Sequence, residues 1–158
     1  MRKVFAELTE SLMGESRNVF LLTGDLGYGI WDSARVKYPE RAINVGAAEQ
    51  LLVGAGVGIA LTGKIAICYS ITPFLLYRPF EIIRNYIDYE KIPVKLVGSG
   101  RGKDYSHDGF SHWAEDDEAI MSNFKNISVW HPKTTDELRQ NFFYYMYSEN
   151  PCYINLKR

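Results

Sequence analysis

A chain of 158 residues, 46% of them hydrophobic, is long enough to bury one core and reads as one globular domain over residues 1–158. A formal charge of −1 offers no field to nucleic acid or to an anionic membrane surface. The longest apolar run, Leu51 to Leu61, is too short and too glycine-rich to span a bilayer, and the first residues lack a secretory hydrophobic region. Cys68 and Cys152 are isolated, each inside an apolar run, so buried thiols in a reducing compartment are expected and the cytoplasm is the expected location. Aromatic residues are 14% of the chain, with 11 Tyr, which suits either a packed core or a large contact surface.

The elements follow in order. Val4, Phe5, Leu8, Leu12 and Met13 have helical spacing over Arg2–Gly14. Val19–Thr23 reads as a buried strand, and Thr23–Gly29 as a glycine-rich loop. Trp31–Tyr38 is a short helix ended by Pro39. Ala42–Val45 is a second strand leading straight into a helix that starts near Glu49. Ile65–Tyr69 is a third strand, and Phe74–Tyr89 a long helix with Pro79 inside it. Pro93–Gly98 is a fourth strand, followed by a polar loop over Ser99–Trp113 and a short acidic helix over Ala114–Met121. Ile127–Trp130 is a fifth strand. Thr134-Thr135-Asp136-Glu137 opens a last helix with good N-terminal chemistry, and Cys152–Leu156 is a sixth strand. Strands alternate with helices, and the strands are continuous apolar runs. Both features predict an α/β fold: a three-layer α/β/α sandwich around a mostly parallel six-stranded sheet. Ligands of such sheets sit at the carboxyl ends of the strands.

The chemistry-bearing stretch is Asn44-Val45-Gly46-Ala47-Ala48-Glu49-Gln50, with the small-residue helix behind it. Glu49 and Gln50 are the only strongly polar side chains between Asn44 and Lys64. A carboxylate at the mouth of a tightly packed apolar helix is partly desolvated, and desolvation suits a carboxyl group to proton transfer. The same acid also fits a plain helix start.

Gly-Ala-Ala-Glu-Gln followed by small apolar residues resembles the pyrimidine-binding (PYR) domain of the transketolase family, which includes deoxyxylulose phosphate synthase. The resemblance implies that Glu49 hydrogen-bonds a ring nitrogen of the aminopyrimidine of thiamine diphosphate, favouring the imino tautomer that deprotonates the thiazolium carbon. Phe74, Tyr77 and Phe80 lie along one side of a helix start, a stripe that usually means core. The family carries aromatics of this spacing after its third strand, which implies cofactor-binding roles for all three, with Phe74 and Tyr77 against the pyrimidine. Asp25 in the first loop occupies the place of a family acid near the cofactor, and it also suits a simple turn.

Asp108-Gly109-Phe110-Ser111-His112 is similar to the family's Asp-Gly-x-Thr-His segment. Ser111 replaces the commoner Thr, and Trp113 stands where Gln is usual. The resemblance implies that Asp108 and His112 face substrate hydroxyls, with His112 assisting proton transfer. His107 and Arg101 are further substrate-binding candidates in that loop. Arg78 and Arg84 are weaker candidates for a sugar phosphate.

The resemblance runs from Val4 to Leu156 but covers one of the family's three domains. The diphosphate domain, with its Gly-Asp-Gly and downstream Asn, does not occur in this sequence. The chain starts with Met and its last strand finishes near the end, so a natural short subunit is expected, with a truncated longer protein as the alternative. The implied function is the PYR subunit of a split, thiamine diphosphate-dependent transketolase. It would transfer a two-carbon ketol unit between sugars, free, phosphorylated or nucleotide-linked. A partner subunit would hold the diphosphate and Mg²⁺, in an α2β2 assembly. The rival readings are a 2-oxo acid-decarboxylating synthase and a non-catalytic structural or regulatory subunit.

Overall fold

The computed structural model describes all 158 residues. Six parallel strands form one sheet in the order β2-β1-β3-β4-β6-β5. They are β1 (Val19–Thr23), β2 (Ala42–Asn44), β3 (Ile65–Ile71), β4 (Lys95–Ser99), β5 (Ser128–Trp130) and β6 (Cys152–Leu156). The period-two alternation of strand side chains divides the core into two clusters, one on each face. On one face α1 (Arg2–Glu15), α2 (Asp32–Lys37) and α7 (Thr135–Tyr147) bury Phe5, Leu12, Trp31, Leu138 and Phe142 against Leu21, Ile67, Val97 and Ile154. On the other, α3 (Glu49–Leu61), α4 (Thr72–Tyr77) and α6 (Asp117–Met121) bury Leu52, Val53, Leu75, Leu76 and Met121 against Leu22, Cys68, Leu96 and Tyr153. The fold is the expected α/β sandwich, and both cysteines are free and buried.

Three expectations need correction. The long helix over Phe74–Tyr89 is broken. Pro79 cannot continue the ladder of α4, so the chain restarts as α5 (Phe80–Ile82) and then a π-helical stretch, Ile83–Tyr89. The acidic helix begins at Asp117 rather than Ala114, because the Ala114 N–H donates to the Gly102 carbonyl at 2.7 Å in an antiparallel bridge that closes the loop on itself. The fourth strand is not a plain apolar run, because Lys95 within it is buried at 1% exposure. Its ammonium donates to the carbonyls of Ser148 at 2.6 Å and Asn150 at 2.8 Å, just past the C-terminus of α7, where backbone oxygens lack helical partners. Burial lowers its pKa.

The N-terminus of α7 is as expected: Thr134 Oγ1 accepts from the Glu137 N–H at 3.1 Å. Helix α3 presses on β3 through Gly56, where an added Cβ would stand 2.4 Å from Cys68 Sγ. Gly56→Ala should therefore lower the unfolding free energy by about 1–3 kcal/mol through overpacking, measured by urea denaturation.

Candidate active site

The strand order sets the position of the site. From β1 the chain crosses through α2 on one face to β2, and from β3 it leaves through α4 on the opposite face to β4. The carboxyl ends of β1 and β3 are therefore a topological switch point, where the departing loops part and leave a crevice. Gly24 follows β1, Ser70 is next to last in β3, and Glu49, the first residue of α3, reaches between them.

The Glu49 side chain is 1% exposed. Ser70 Oγ donates to its Oε1 at 3.0 Å, and Arg78 Nη1 donates to its Oε2 at 2.5 Å. A Cβ on Gly24 would come within 3.1 Å of both Glu49 Oε1 and Ser70 Oγ, so a side chain there would press both groups aside by a few tenths of an ångström. Burying a carboxylate is costly unless it is paired and hydrogen-bonded, and here both conditions are met. The Arg78 guanidinium lies over the Phe74 ring at 3.9 Å from its centroid. The His112 ring meets Phe74 edge-on, with centroids 4.8 Å apart and planes at 67°. Glu49, Arg78, Phe74 and His112 thus form one continuous group, drawn from the loops after β2, β3 and β4.

The loop after β4 is stiffened from beneath. Tyr105 fits against Gly100, shares a hydrogen bond with Ser99 at 2.8 Å and accepts from Arg2 at 2.9 Å. Behind the loop, Asp117 is 5% exposed and accepts from Tyr153 Oη at 2.8 Å and Asn155 Nδ2 at 2.7 Å. His131 Nε2 lies 3.2 Å from the same carboxylate, and its Nδ1 is 3.1 Å from Glu118 Oε1. The Asp117 carboxylate holds the His131 imidazole above its usual range, against the opposing effect of burial. Burial pushes the Asp117 carboxyl up, but His131, Tyr153 and Asn155 together outweigh it and the net shift is downward. Composition gave no sign of this network. Its only trace is polar Tyr153 and Asn155 alternating with apolar residues in β6, opposite a His at the end of β5.

The other candidates lie at differing removes from Glu49. Tyr77 is 51% exposed and hydrogen-bonds Asp116 at the rim of a separate cavity of about 320 Å³, shared with Phe110 and Trp113. Phe80, displaced by the break at Pro79, packs on Phe124 at 5.3 Å beside a groove of about 680 Å³. Asp25 has a left-handed backbone (φ 54°) and accepts from Tyr28 at 2.5 Å and Asn44 at 3.2 Å, and these bonds, Tyr28's first, lower its pKa. His107 and Asp108 pair with each other at 3.2 Å on the outside of the loop, while Ser111 Oγ holds His112 Nδ1 at 3.0 Å. Arg101 does not face a ligand space. Its guanidinium is committed to the Asn155 carbonyl at 2.6 Å and the Pro132 carbonyl at 3.2 Å, clamping the loop to the ends of β5 and β6. Ser70 is the contact that sequence reasoning missed, since nothing separates it from any other serine ending an apolar strand.

The family model for the transketolase pyrimidine-binding domain matches residues 1–158. The chain belongs to the transketolase pyrimidine-binding domain family. It is 38% identical over 120 residues to an apulose-4-phosphate transketolase subunit of Actinobacillus succinogenes, covering 76% of this chain and 39% of that protein. It is 33% identical over 159 residues to the putative transketolase C-terminal section of Methanocaldococcus jannaschii, covering 100% of this chain and 50% of that protein. The chain therefore spans half or less of the length of these relatives. A solved structure described as a split gene transketolase, inactive beta4 tetramer, superposes with a TM-score of 0.85 at 33% identity, over 99% of this chain and 50% of that one. No helix in this pyrimidine-binding domain is long and apolar enough to cross a membrane.

The buried Asp117–His131 pair makes stability depend on pH. The raised His131 pKa means that its contribution is complete below 6.5 and is lost as pH rises through its folded value. The lowered Asp117 pKa means that its contribution is present above 3.8 and is lost as pH falls through its folded value. The stability advantage of the native chain over His131→Gln should accordingly shrink as pH is raised from about 5.5 to about 8.5. Urea midpoints across that range check it.

Proposed function

We propose that this chain supplies the pyrimidine half of a thiamine diphosphate site in a transketolase-type enzyme, which moves a two-carbon ketol unit from a phosphorylated ketose to an aldehyde. The observation that carries this reading is the Glu49 carboxylate, 1% exposed at the switch point, with Ser70 hydrogen-bonded to it and Phe74 joined to it through the Arg78 guanidinium. Those residues fit an aminopyrimidine: a buried acid for a ring nitrogen and an aromatic wall for the ring. The other end of the cofactor needs different chemistry. No group of three or more His, Cys, Asp or Glu side chains here could hold a metal ion, so a partner subunit would bind the diphosphate through Mg²⁺. Two of the similar proteins support a divided enzyme: the split-gene transketolase, an inactive beta4 tetramer, and the apulose-4-phosphate transketolase, of which the matching protein is one subunit. An α2β2 assembly is the simplest symmetric arrangement.

When bound, thiamine diphosphate supplies a nucleophilic carbanion able to hold a two-carbon fragment. The roles of this chain's residues follow from their places. Glu49 holds a proton at the ring nitrogen, and Ser70 fixes which carboxylate oxygen faces the ring. Phe74 covers the ring and excludes water. His112, braced by Ser111 and Phe74, moves protons at the substrate's hydroxyls. Asp108 and His107 would bind substrate hydroxyls from the outer loop.

Calorimetric titration of thiamine diphosphate with Mg²⁺ tests the division: binding is expected only when this chain is mixed with a diphosphate-binding partner. Binding by neither would overturn the reading. In the assembled enzyme, Glu49→Gln should leave assembly intact and lower kcat by about 10²–10⁴-fold. His112→Ala should lower kcat by roughly tenfold to a hundredfold while the cofactor Kd stays unchanged. Steady-state kinetics and the same calorimetry check both.

A further inference from the structure

The strongest observation left over is Arg78. It is half-exposed, with 44% of its side chain open to solvent, yet its guanidinium reaches the fully buried Glu49 carboxylate. Ser70 holds Oε1, so Oε2 is the oxygen left for an incoming group, and Arg78 Nη1 takes it at 2.5 Å. The same guanidinium carbon lies over the Phe74 ring, 3.9 Å from its centroid and at van der Waals distance, which leaves no room for a second planar group between them. Its backbone is set at the break between α4 and α5: Pro79 follows it, and Gln50 Nε2 donates to its carbonyl at 3.4 Å.

A guanidinium and an aminopyrimidine share a shape. Both are planar, both stack on an aromatic face, and both set a nitrogen against a carboxyl oxygen: an N–H of the guanidinium, or the ring nitrogen at which Glu49 would hold a proton. We propose that Arg78 is a built-in stand-in for the cofactor's pyrimidine ring, occupying the ring's two contacts, Glu49 Oε2 and the Phe74 face, and swinging outward when the ring enters. This rests on the reading of Glu49 and Phe74 given above and goes further: the chain carries its own competitor for the site. Ring and guanidinium exclude each other, so the apparent affinity for the ring is reduced by the fraction of chains in which Arg78 is docked. The pairing also keeps a buried carboxylate partnered at every stage, first by the guanidinium and then by the ring.

The test uses the full chain, isotopically labelled and assembled with its diphosphate-binding partner, and an uncharged probe, the hydroxymethyl alcohol of thiamine's aminopyrimidine. Lacking the thiazolium charge, it gains nothing from mere removal of a positive residue. Amide NMR titrations of the native chain, Arg78→Ala and Arg78→Met would give three dissociation constants. Both variants should bind the probe roughly threefold to tenfold more tightly than the native chain, with shifts centred on Glu49, Phe74 and Ser70. Because Arg78 is half-exposed, the variants' unchanged amide spectra away from the site would verify the fold. Equal or weaker binding by both variants would overturn the stand-in while leaving the pyrimidine reading intact. Binding by none of the three chains would overturn the pyrimidine reading and the stand-in with it.

Discussion

A carboxylate removed from water at the switch point of the sheet is the constraint to which much of the neighbouring structure answers. An ionised carboxyl cannot be buried alone, so each neighbour of Glu49 is dictated by it. Ser70, next to last in β3, supplies a donor, and the missing side chain of Gly24 gives Glu49 and Ser70 room to meet. Helix α4 must begin immediately after β3 and stop at Pro79, which sets Arg78 within reach of Oε2. Gly56 lets α3 lie close on β3, and the helix's first residue reaches the crevice between β1 and β3. Local sequence, packing and chemistry agree at this point because all of them serve one buried charge.

A second buried charge organises the opposite half of the sheet's carboxyl edge. Asp117 gathers Tyr153, Asn155 and His131, and so binds the start of α6 to the tips of β5 and β6. Arg101 adds a clamp from the loop side through the carbonyls of Asn155 and Pro132. The segment between these fixings, Lys103 to Trp113, carries His107, Asp108 and His112 and contains two short 3₁₀ turns and no longer element. Such a loop would be mobile if left to itself. Its pinning at Gly102–Ala114, Tyr105 and Asp117 holds His112 against Phe74. The polar network is therefore a support for the loop, and this is why it lies under the candidate substrate side rather than under Glu49.

Much of this was legible in the sequence, for physical reasons. Continuous apolar runs separated by helical periods can only be a covered parallel sheet, and they place the chemistry-bearing loops at one edge. Glu49 stood out because an acid opening a long run of small apolar residues has little water left around it. The aromatic stripe was less informative. Spacing places Phe74, Tyr77 and Phe80 on one side of an ideal helix, but Pro79 ends that helix, and the three side chains diverge to His112, Asp116 and Phe124. The contacts of Arg101 and Lys95 were illegible for a shared reason: a cation that satisfies backbone carbonyls leaves no local pattern, because its partners are oxygens that every residue has. The Asp117 network was illegible for the same kind of reason. Its members come from α6, β5 and β6, brought together only by strand order.

The charge distribution bears on why such a domain suits only one end of a two-ended cofactor. The aminopyrimidine end is flat and uncharged, so one buried acid and one aromatic wall suffice to read it. The diphosphate end is a polyanion and requires a metal ion with a dedicated oxygen cage. In the proposed reading the buried Glu49 carboxylate and the Phe74 ring serve the first, and a partner subunit serves the second. In the proposed divided enzyme each protein contributes what its own electrostatics favours, and the reacting carbon falls between them. Arg78 fits the same logic. A domain that must fold and persist with a buried carboxylate before its partner arrives needs a temporary cation at that carboxylate. A half-exposed arginine on a helix end can fill the place, and it leaves without stranding the carboxyl group only as the ring takes over that contact.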